Sequence, residues 1–139
     1  MKNYISHSST ETHSIGKTFG SRLANKTVVC FFGELAAGKT TFIKGLVEGA
    51  AQIDPQMVQS PTFTYLNIYE GTQTIYHFDL YRLENETSFF DLGFHEFVES
   101  DAISCIEWPE RALQLIPASA LKIRLEIRGD QGRRILYPL

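Results

Sequence analysis

The sequence predicts an α/β domain of three layers, in which a mixed β-sheet lies between helices. Residues 27–32 form an unbroken apolar run, which is typical of a strand buried on both faces, and a glycine-bounded loop and a helical pattern follow it. Residues 121–128 alternate apolar and charged side chains, which is typical of a strand with one solvated face. The length of 139 residues suits a single domain over 1–139.

The elements before residue 60 follow from hydrophobic spacing. Ile15, Phe19 and Leu23 recur at helical spacing, so a helix is expected over 8–24, capped by a hydroxyl side chain at one of positions 8–10. The next elements are a strand at 27–32, a loop at 33–38, a helix at 39–48 and a polar stretch that ends near residue 62.

The elements after residue 60 are bounded by turn residues and prolines. Gly93 is expected to interrupt a helical segment, and Pro109 suits the first position of a short helix. We expect strands at 63–69 and 74–82 that form a hairpin around 70–73, followed by partial helix at 86–99. A strand at 102–106 and a short helix that ends before Pro117 come next. The last two strands are expected at 121–128 and 134–137, around a turn at 129–132.

Composition and charge limit the compartment and the partners. The net charge of −3 argues against a chain that grips a nucleic-acid backbone by itself. No apolar stretch approaches the roughly 18 residues of a membrane span, and no secretory signal is evident, so we expect a cytoplasmic protein without membrane contact. Cys30 and Cys105 lie in apolar runs and are expected to be buried thiols in a reducing compartment.

Residues 33–40 read G-E-L-A-A-G-K-T and match the phosphate-binding pattern G-x-x-x-x-G-K-[ST] between a strand and a helix. Gly33 and Gly38 let the backbone turn its amides toward phosphate oxygens, and the helix N-terminus adds positive potential. Lys39 is expected at the β- and γ-phosphates, Thr40 on magnesium and Thr41 near the α-phosphate. The pattern predicts a purine nucleoside triphosphate with Mg²⁺; residues 25–28 do not form a guanine motif, which favours ATP.

Four motifs occur in order at short range: G-E-L-A-A-G-K-T-T at 33–41, S-P-T-F at 60–63, H-F-D-L-Y-R-L at 77–83 and I-E-W at 106–108. Together with T-x-x-I-G at 12–16 they closely resemble the bacterial TsaE (YjeE) family of P-loop ATPases. The resemblance implies an ATPase that, with TsaD and TsaB, supports formation of the threonylcarbamoyl group on adenosine 37 of tRNAs reading codons that begin with adenine. It implies that TsaD performs the transfer, that tRNA is met through the complex, and that hydrolysis resets the complex between turnovers.

The resemblance and the phosphate-binding pattern together give a set of expected nucleotide-binding residues, to which Arg133 is added as a candidate contact to the adenine; a contact to a partner or simple surface charge is the alternative for Arg133. One member departs from the family, which usually has glycine where this sequence has Ala36; a positive φ there would strain alanine by roughly 1 kcal/mol. The expected set is Thr12, Gly33, Glu34, Leu35, Ala36, Ala37, Gly38, Lys39, Thr40, Thr41 and Arg133.

A nucleotide-sensing switch is expected near residues 60–64. Pro61 biases Ser60 toward an extended backbone, and the neighbouring hydroxyls can meet magnesium, its waters or the γ-phosphate. The alternative is an ordinary polar entry into a strand. The residues expected to act as a switch are Ser60, Pro61, Thr62, Thr64, Tyr81, Arg82 and Trp108, although Trp108 by itself is better interpreted as a core side chain than as a nucleotide contact.

Two carboxylates complete the predicted site. Asp79 shares a strand face with His77 and Tyr81, and a polar pair on a mostly apolar strand needs partners. Asp79 is therefore interpreted as an outer-sphere magnesium residue, as a connection to the switch, or as half of a salt bridge with Arg82. Glu107 ends a buried strand, where it would hold magnesium through water, activate the attacking water, or merely cap the strand. The predicted catalytic residues are Lys39, Asp79 and Glu107, and the predicted metal site is Thr40, Asp79 and Glu107.

Two other functions fit a phosphate-binding loop. A P-loop kinase of a small metabolite needs an acceptor pocket and usually an arginine-rich lid, for which 139 residues leave little room. A nucleotide-dependent adaptor without catalysis would not need the two carboxylates.

Overall fold

The structure is a computed structural model that describes residues 2–137, so residues 1, 138 and 139 of the predicted domain lie outside it. Its strands are β1 (Lys2–Ser6), β2 (Val28–Phe32), β3 (Leu66–Glu70), β4 (Thr74–Asp79), β5 (Ile103–Glu107), β6 (Leu121–Arg128) and β7 (Gly132–Tyr137). They form one seven-stranded sheet in the order β1-β7-β6-β2-β5-β4-β3. The four central strands, β6, β2, β5 and β4, run parallel, and the outer strands pair antiparallel, which confirms the predicted mixed sheet.

Helices cover both faces of the sheet, as the three-layer prediction requires. They are α1 (Ser9–Gly20), α2 (Lys39–Ala51), α3 (Glu86–Asp91) and α4 (Phe94–Val98), with 3₁₀ helices at Pro55–Met57 and Pro109–Leu115. Val29 and Phe31 of β2 point into the core beneath α1 and α2, whereas Val28 and Cys30 point into the core beneath α3 and α4. The strand is therefore buried on both faces, which explains its unbroken apolar sequence.

Several boundaries differ from the predictions for local reasons. The helix predicted over 8–24 ends at Gly20, and its N-cap is Ser8, whose side chain accepts from the Glu11 amide. The strand predicted from 63 begins at 66, because a turn closes between the Tyr65 amide and the Pro61 carbonyl. The strand predicted to reach 82 ends at Asp79, and Gly93 separates α3 from α4 at a φ of 79°.

Strand β1 was not predicted. Its first four residues are exposed and only Ser6 is buried, so they show no alternation to detect. It pairs with β7 at the sheet edge, and Ser6 lies opposite Arg133. The pairing is long-range, and nothing local in the sequence indicates it.

The two cysteines are buried, unpaired thiols, as predicted. Burial raises the pKa of Cys30 to about 12 and raises the pKa of Cys105 further, so both remain protonated at neutral pH. Within residues 2–137, no helix has the length and apolar character needed to cross a membrane.

Helices α1 and α2 pack backbone to backbone. A Cβ atom added to Gly45 of α2 would collide with the His13 carbonyl oxygen of α1, and one added to Gly16 of α1 would collide with the Phe42 carbonyl oxygen of α2. Gly20 and Gly49 repeat this arrangement one turn further along. This close contact fixes α2, the helix that follows the phosphate loop, against the rest of the domain.

Candidate nucleotide-binding site

The phosphate loop connects β2 to α2 through two residues with positive φ values that suit glycine. Gly33 has φ 148° and Gly38 has φ 97°. A Cβ at Gly33 would also lie 2.6 Å from the Leu125 carbonyl oxygen, so that position excludes a side chain. Gly38 is the N-cap of α2 and has no side chain to cap it, which leaves the first amides of the helix open to an anion.

Ala36 also has a positive φ, of 66°, within this loop. The strain expected for alanine at this position is therefore present, at about 1–2 kcal/mol. The Ala36 carbonyl accepts a hydrogen bond from Arg133 Nη2 at 3.0 Å, which holds the strained turn in place.

A cavity of about 270 Å³ lies beside the loop. Its lining brings together residues from four separate parts of the sequence. They are the loop and helix start at 35–41, Ser60, the Glu107–Trp108 pair and Arg133.

Lys39 is buried at this cavity, with 5% of its surface exposed. Its ammonium group donates to the Gly33 carbonyl at 2.5 Å and lies 3.7 Å from the centroid of the Trp108 ring. Burial lowers the pKa of Lys39, and the carboxylates of Glu107, Glu110 and Asp79 partly offset that effect. A desolvated cation with few strong partners is well suited to bind phosphate oxygens.

Trp108 is half-buried and lines the cavity, whereas the sequence favoured a core position. It follows β5 in a left-handed conformation with φ 58°, and this turns its ring back toward Lys39. Tyr81 packs against the Trp108 ring, with centroids 4.8 Å apart.

Glu107 lies opposite the start of α2. The Thr40 hydroxyl is 3.3 Å from its Oε1 and 3.4 Å from its Oε2. Oε2 also accepts from His77 Nε2 at 2.6 Å. Glu107 is 3% exposed and ends the buried strand β5.

Asp79 lies beside Glu107 in the sheet but is not among the residues that line the cavity. Its Oδ2 accepts from Ser60 Oγ at 2.6 Å and its Oδ1 accepts from the Tyr81 amide at 2.9 Å. The alternative salt bridge with Arg82 does not form, because the Arg82 guanidinium lies over the Phe63 ring, 4.6 Å from its centroid. Asp79 is therefore connected to the cavity lining through Ser60.

The predicted switch residues occupy different environments. Ser60 lines the cavity and contacts Thr62 Oγ1 at 3.4 Å. Pro61 is buried, whereas Thr64 is exposed. Phe63, which was not singled out from the sequence, is 81% exposed, an unusual value for a large apolar side chain.

Three predicted nucleotide-binding residues have side chains that are bonded elsewhere or lie outside the cavity lining. Arg133 lines the cavity but donates to the Gly132 and Ala36 carbonyls. Glu34 is exposed and does not line the cavity. Thr12 is buried on α1, where its hydroxyl bonds to Ser6 Oγ at 2.7 Å, so the structure does not bring its side chain to the loop.

One buried contact was not predicted from the sequence: Tyr69 on β3 bonds to His77 Nδ1 at 2.9 Å. The need for a partner to His77 was visible, because a buried imidazole on an apolar strand is costly without one. The pairing of β3 with β4, which brings Tyr69 close, was also expected as a hairpin. The strand register that aligns the Tyr69 and His77 side chains was not predicted.

This arrangement combines open helix amides, a buried cation, a hydroxyl and a carboxylate around one cavity. Among residues 2–137 no group of three or more His, Cys, Asp or Glu side chains is placed to hold a metal ion.

Comparisons with known proteins agree with this description. Residues 6–135 match a family described as threonylcarbamoyl adenosine biosynthesis protein TsaE. A relative in Treponema pallidum (strain Nichols), described as tRNA threonylcarbamoyladenosine biosynthesis protein TsaE, is 40% identical over 131 residues, 94% of this chain and 96% of the relative. A relative with the same description from Aquifex aeolicus (strain VF5) is 36% identical and covers 97% of this chain and 94% of its own length. Another from Bacillus subtilis (strain 168) is 35% identical and covers 91% of this chain and 78% of its own length. The crystal structure of YdiB from Bacillus subtilis matches with a TM-score of 0.78 at 28% identity, over 98% of this chain and 83% of that chain.

Proposed function

This chain belongs to the TsaE family of threonylcarbamoyl adenosine biosynthesis proteins, and from that premise we propose that it is a Mg²⁺-dependent ATPase. In this proposal it binds and hydrolyses ATP at the cavity beside the phosphate loop. It acts in the cytoplasm within a tRNA-modifying assembly that contains TsaD and TsaB.

The observation that carries the proposal is the convergence of Lys39, Thr40 and Glu107 on one cavity. Lys39 and Thr40 begin α2, whereas Glu107 ends β5, and the Thr40 hydroxyl is 3.3 Å from the Glu107 carboxylate. A phosphate chain on the helix amides would meet all three groups. A structural turn between a strand and a helix would not need a buried lysine and a buried carboxylate beside it.

Each residue has a distinct role in this proposal. The loop amides and Lys39 bind the phosphates and offset their charge. Bound Mg²⁺ would neutralise charge that develops on the β- and γ-phosphate oxygens. The Thr40 hydroxyl would ligate the metal ion directly. Glu107 is held by His77 at Oε2, which leaves Oε1 to accept a hydrogen bond from a water molecule.

The structure supports slow turnover by the chain alone. Stabilisation of the transferring phosphoryl group commonly depends on an arginine over the γ-phosphate. Arg133, the arginine in the cavity lining, is bonded to two backbone carbonyls instead. We therefore expect TsaD–TsaB to raise the rate or impose a nucleotide cycle, and tRNA to reach this chain only through them.

The decisive experiment measures ATP hydrolysis by the chain with and without TsaD–TsaB and tRNA. Lys39→Ala should abolish tight ATP binding in calorimetry while leaving the fold intact. Lys44→Ala is the matched control, because Lys44 lies on the same helix outside the cavity lining. Unchanged ATP affinity in Lys39→Ala would refute the site. Rapid phosphorylation of a free metabolite, without binding to TsaD–TsaB, would favour a kinase instead.

A further inference from the structure

We propose that Tyr69 and His77 are positioning residues that link the Glu107 carboxylate to the backbone at Gln59, so that the nucleotide site and the segment 59–64 change together. This inference rests on the proposed ATPase function. It assigns a role to two buried side chains that do not touch the cavity.

A continuous chain of hydrogen bonds connects the phosphate loop to this segment. From Thr40 and Glu107 it passes through His77 Nε2, at 2.6 Å from Glu107 Oε2, and through His77 Nδ1, at 2.9 Å from the Tyr69 hydroxyl. The Tyr69 hydroxyl also lies 3.1 Å from the Gln59 carbonyl, to which it can donate, and it accepts from the Gln59 amide at 3.3 Å. Gln59 directly precedes Ser60, which lines the cavity.

Burial makes these bonds hard to replace. His77 is 0% exposed, Glu107 3% and Tyr69 7%. A polar side chain removed from water is costly unless it is hydrogen-bonded, and an enclosed bond is stronger than an exposed one. Three polar groups enclosed between strands are therefore expected to move as a unit when one of them moves.

The number of protons available for these hydrogen bonds determines how a change at Glu107 reaches Gln59. An ionised carboxylate only accepts, so His77 Nε2 donates to Glu107. The Tyr69 hydroxyl has one proton and two acceptors within reach, His77 Nδ1 and the Gln59 carbonyl. A rotation of the imidazole that follows Glu107 changes which acceptor receives this proton. A change at Glu107 is thereby passed to the backbone before the switch segment.

The same segment has a second anchor that bypasses Glu107. Asp79 binds Ser60 Oγ, and Asn67 Nδ2 donates to the Gln59 carbonyl at 3.0 Å. These bonds remain when the Tyr69 hydroxyl is removed, so Tyr69→Phe is expected to fold normally. The link can therefore be broken without releasing the segment.

The test compares Tyr69→Phe with Tyr76→Phe, each of which loses one hydroxyl. Tyr76 is the matched control, because it lies on β4 with its ring edge-on to Phe97, away from this chain of bonds. Hydrogen exchange of the amides in 59–64 is followed without nucleotide and with ATP and Mg²⁺, and steady-state hydrolysis is measured with TsaD–TsaB.

In Tyr69→Phe we expect the Gln59 amide to exchange faster without nucleotide and the ATP-dependent change over 59–64 to be lost. We expect kcat to fall about tenfold while KM for ATP changes less than about twofold. The lost bond between Tyr69 and His77 supports Glu107, whereas the phosphate-binding groups keep all their contacts. Tyr76→Phe should match wild type in all of these. A Tyr69→Phe protein that matches Tyr76→Phe overturns the link.

His77 variants separate the two halves of the link. His77→Gln keeps an amide near the Nε2 position and should preserve hydrolysis better than His77→Asn, which keeps a polar group only near the Nδ1 position. Equal loss in both, together with faster exchange throughout the protein, would show that His77 only supports the core and would overturn the proposal. A wild-type chain that neither binds nor hydrolyses ATP would instead refute the proposed function, and the coupling with it.

Discussion

The ammonium group of Lys39 lies 3.7 Å from the centroid of the Trp108 ring. Because Trp108 is the only tryptophan in the sequence, its fluorescence reports this contact. In the proposed ATP complex the Lys39 ammonium would move to the phosphates, so the Trp108 ring would lose its cation.

We predict that ATP with Mg²⁺ changes the Trp108 emission in a saturable titration. The midpoint should agree with the dissociation constant from calorimetry. In Lys39→Ala the change should disappear at the same ATP concentrations. Tight ATP binding without any change in emission would contradict a contact between Trp108 and the occupied site.

Thr40→Ala should weaken ATP binding mainly when Mg²⁺ is present. In the proposed site its hydroxyl, 3.3 Å from Glu107 Oε1, would ligate the metal, and the methyl group of alanine cannot replace it. The measurement is ATP affinity in excess Mg²⁺ and in EDTA. Thr40→Ser retains a hydroxyl and should restore the dependence on Mg²⁺. An alanine variant with wild-type Mg²⁺ dependence would exclude the role.

Glu107→Gln should lower hydrolysis much more than ATP binding. The amide keeps the shape and an acceptor for His77, but it loses the charge that would orient water or hydrated Mg²⁺, so kcat should fall by about a hundredfold. Glu110→Gln is the control, because Glu110 is a nearby exposed carboxylate outside the cavity lining. Normal turnover of Glu107→Gln in the presence of TsaD–TsaB would assign Glu107 to structure.

The parts of the site that were predictable are those in which adjacent residues determine the geometry. The glycines and the Lys-Thr pair of the loop 33–40 determine both the turn and the start of the following helix, so this pattern predicts its local structure without knowledge of the rest of the fold. Glu107 was predictable as well, because a polar residue after a buried apolar run marks the carboxyl end of a strand.

Contacts set by strand register were not predictable from one sequence. Tyr69 meets His77 only because β3 and β4 pair with Asn67 opposite His77. Arg82 lies over Phe63 rather than against Asp79, since the chain turns immediately after Asp79. The edge strand β1 lacks any apolar alternation, so its pairing with β7 depends on backbone hydrogen bonds that its side chains do not reveal.

Ala36→Gly should stabilise the protein. Alanine at φ 66° costs about 1–2 kcal/mol, whereas glycine adds about 0.5–1 kcal/mol of unfolded-state entropy. The net gain should be about 0.5–1 kcal/mol in the free energy of unfolding, measured in urea. Ala37→Gly, one residue on, removes a methyl group that is fully buried and should destabilise the protein. If Ala36→Gly also destabilises, the strain assigned to the loop is wrong.

Gly45→Ala should destabilise the protein although it improves the intrinsic helix propensity of α2. Propensity alone favours alanine by about 1 kcal/mol. The added Cβ, however, would collide with the His13 carbonyl of α1, a backbone atom that cannot rotate away. Overpacking of this kind costs about 1–3 kcal/mol, so the helices must separate and the net effect is a loss of stability.

The same separation should weaken ATP binding, because α2 carries Lys39 and Thr40 at its first turn. Urea unfolding and calorimetry of Gly45→Ala measure the two effects. Gly49→Ala should behave similarly, since its Cβ would collide with the Lys17 carbonyl. Lys44→Ala changes the neighbouring residue of the same helix and should alter stability by no more than about 0.5 kcal/mol. A Gly45→Ala protein that is more stable than wild type would show that helix propensity outweighs the contact, and that α1 and α2 are not held together by close backbone packing.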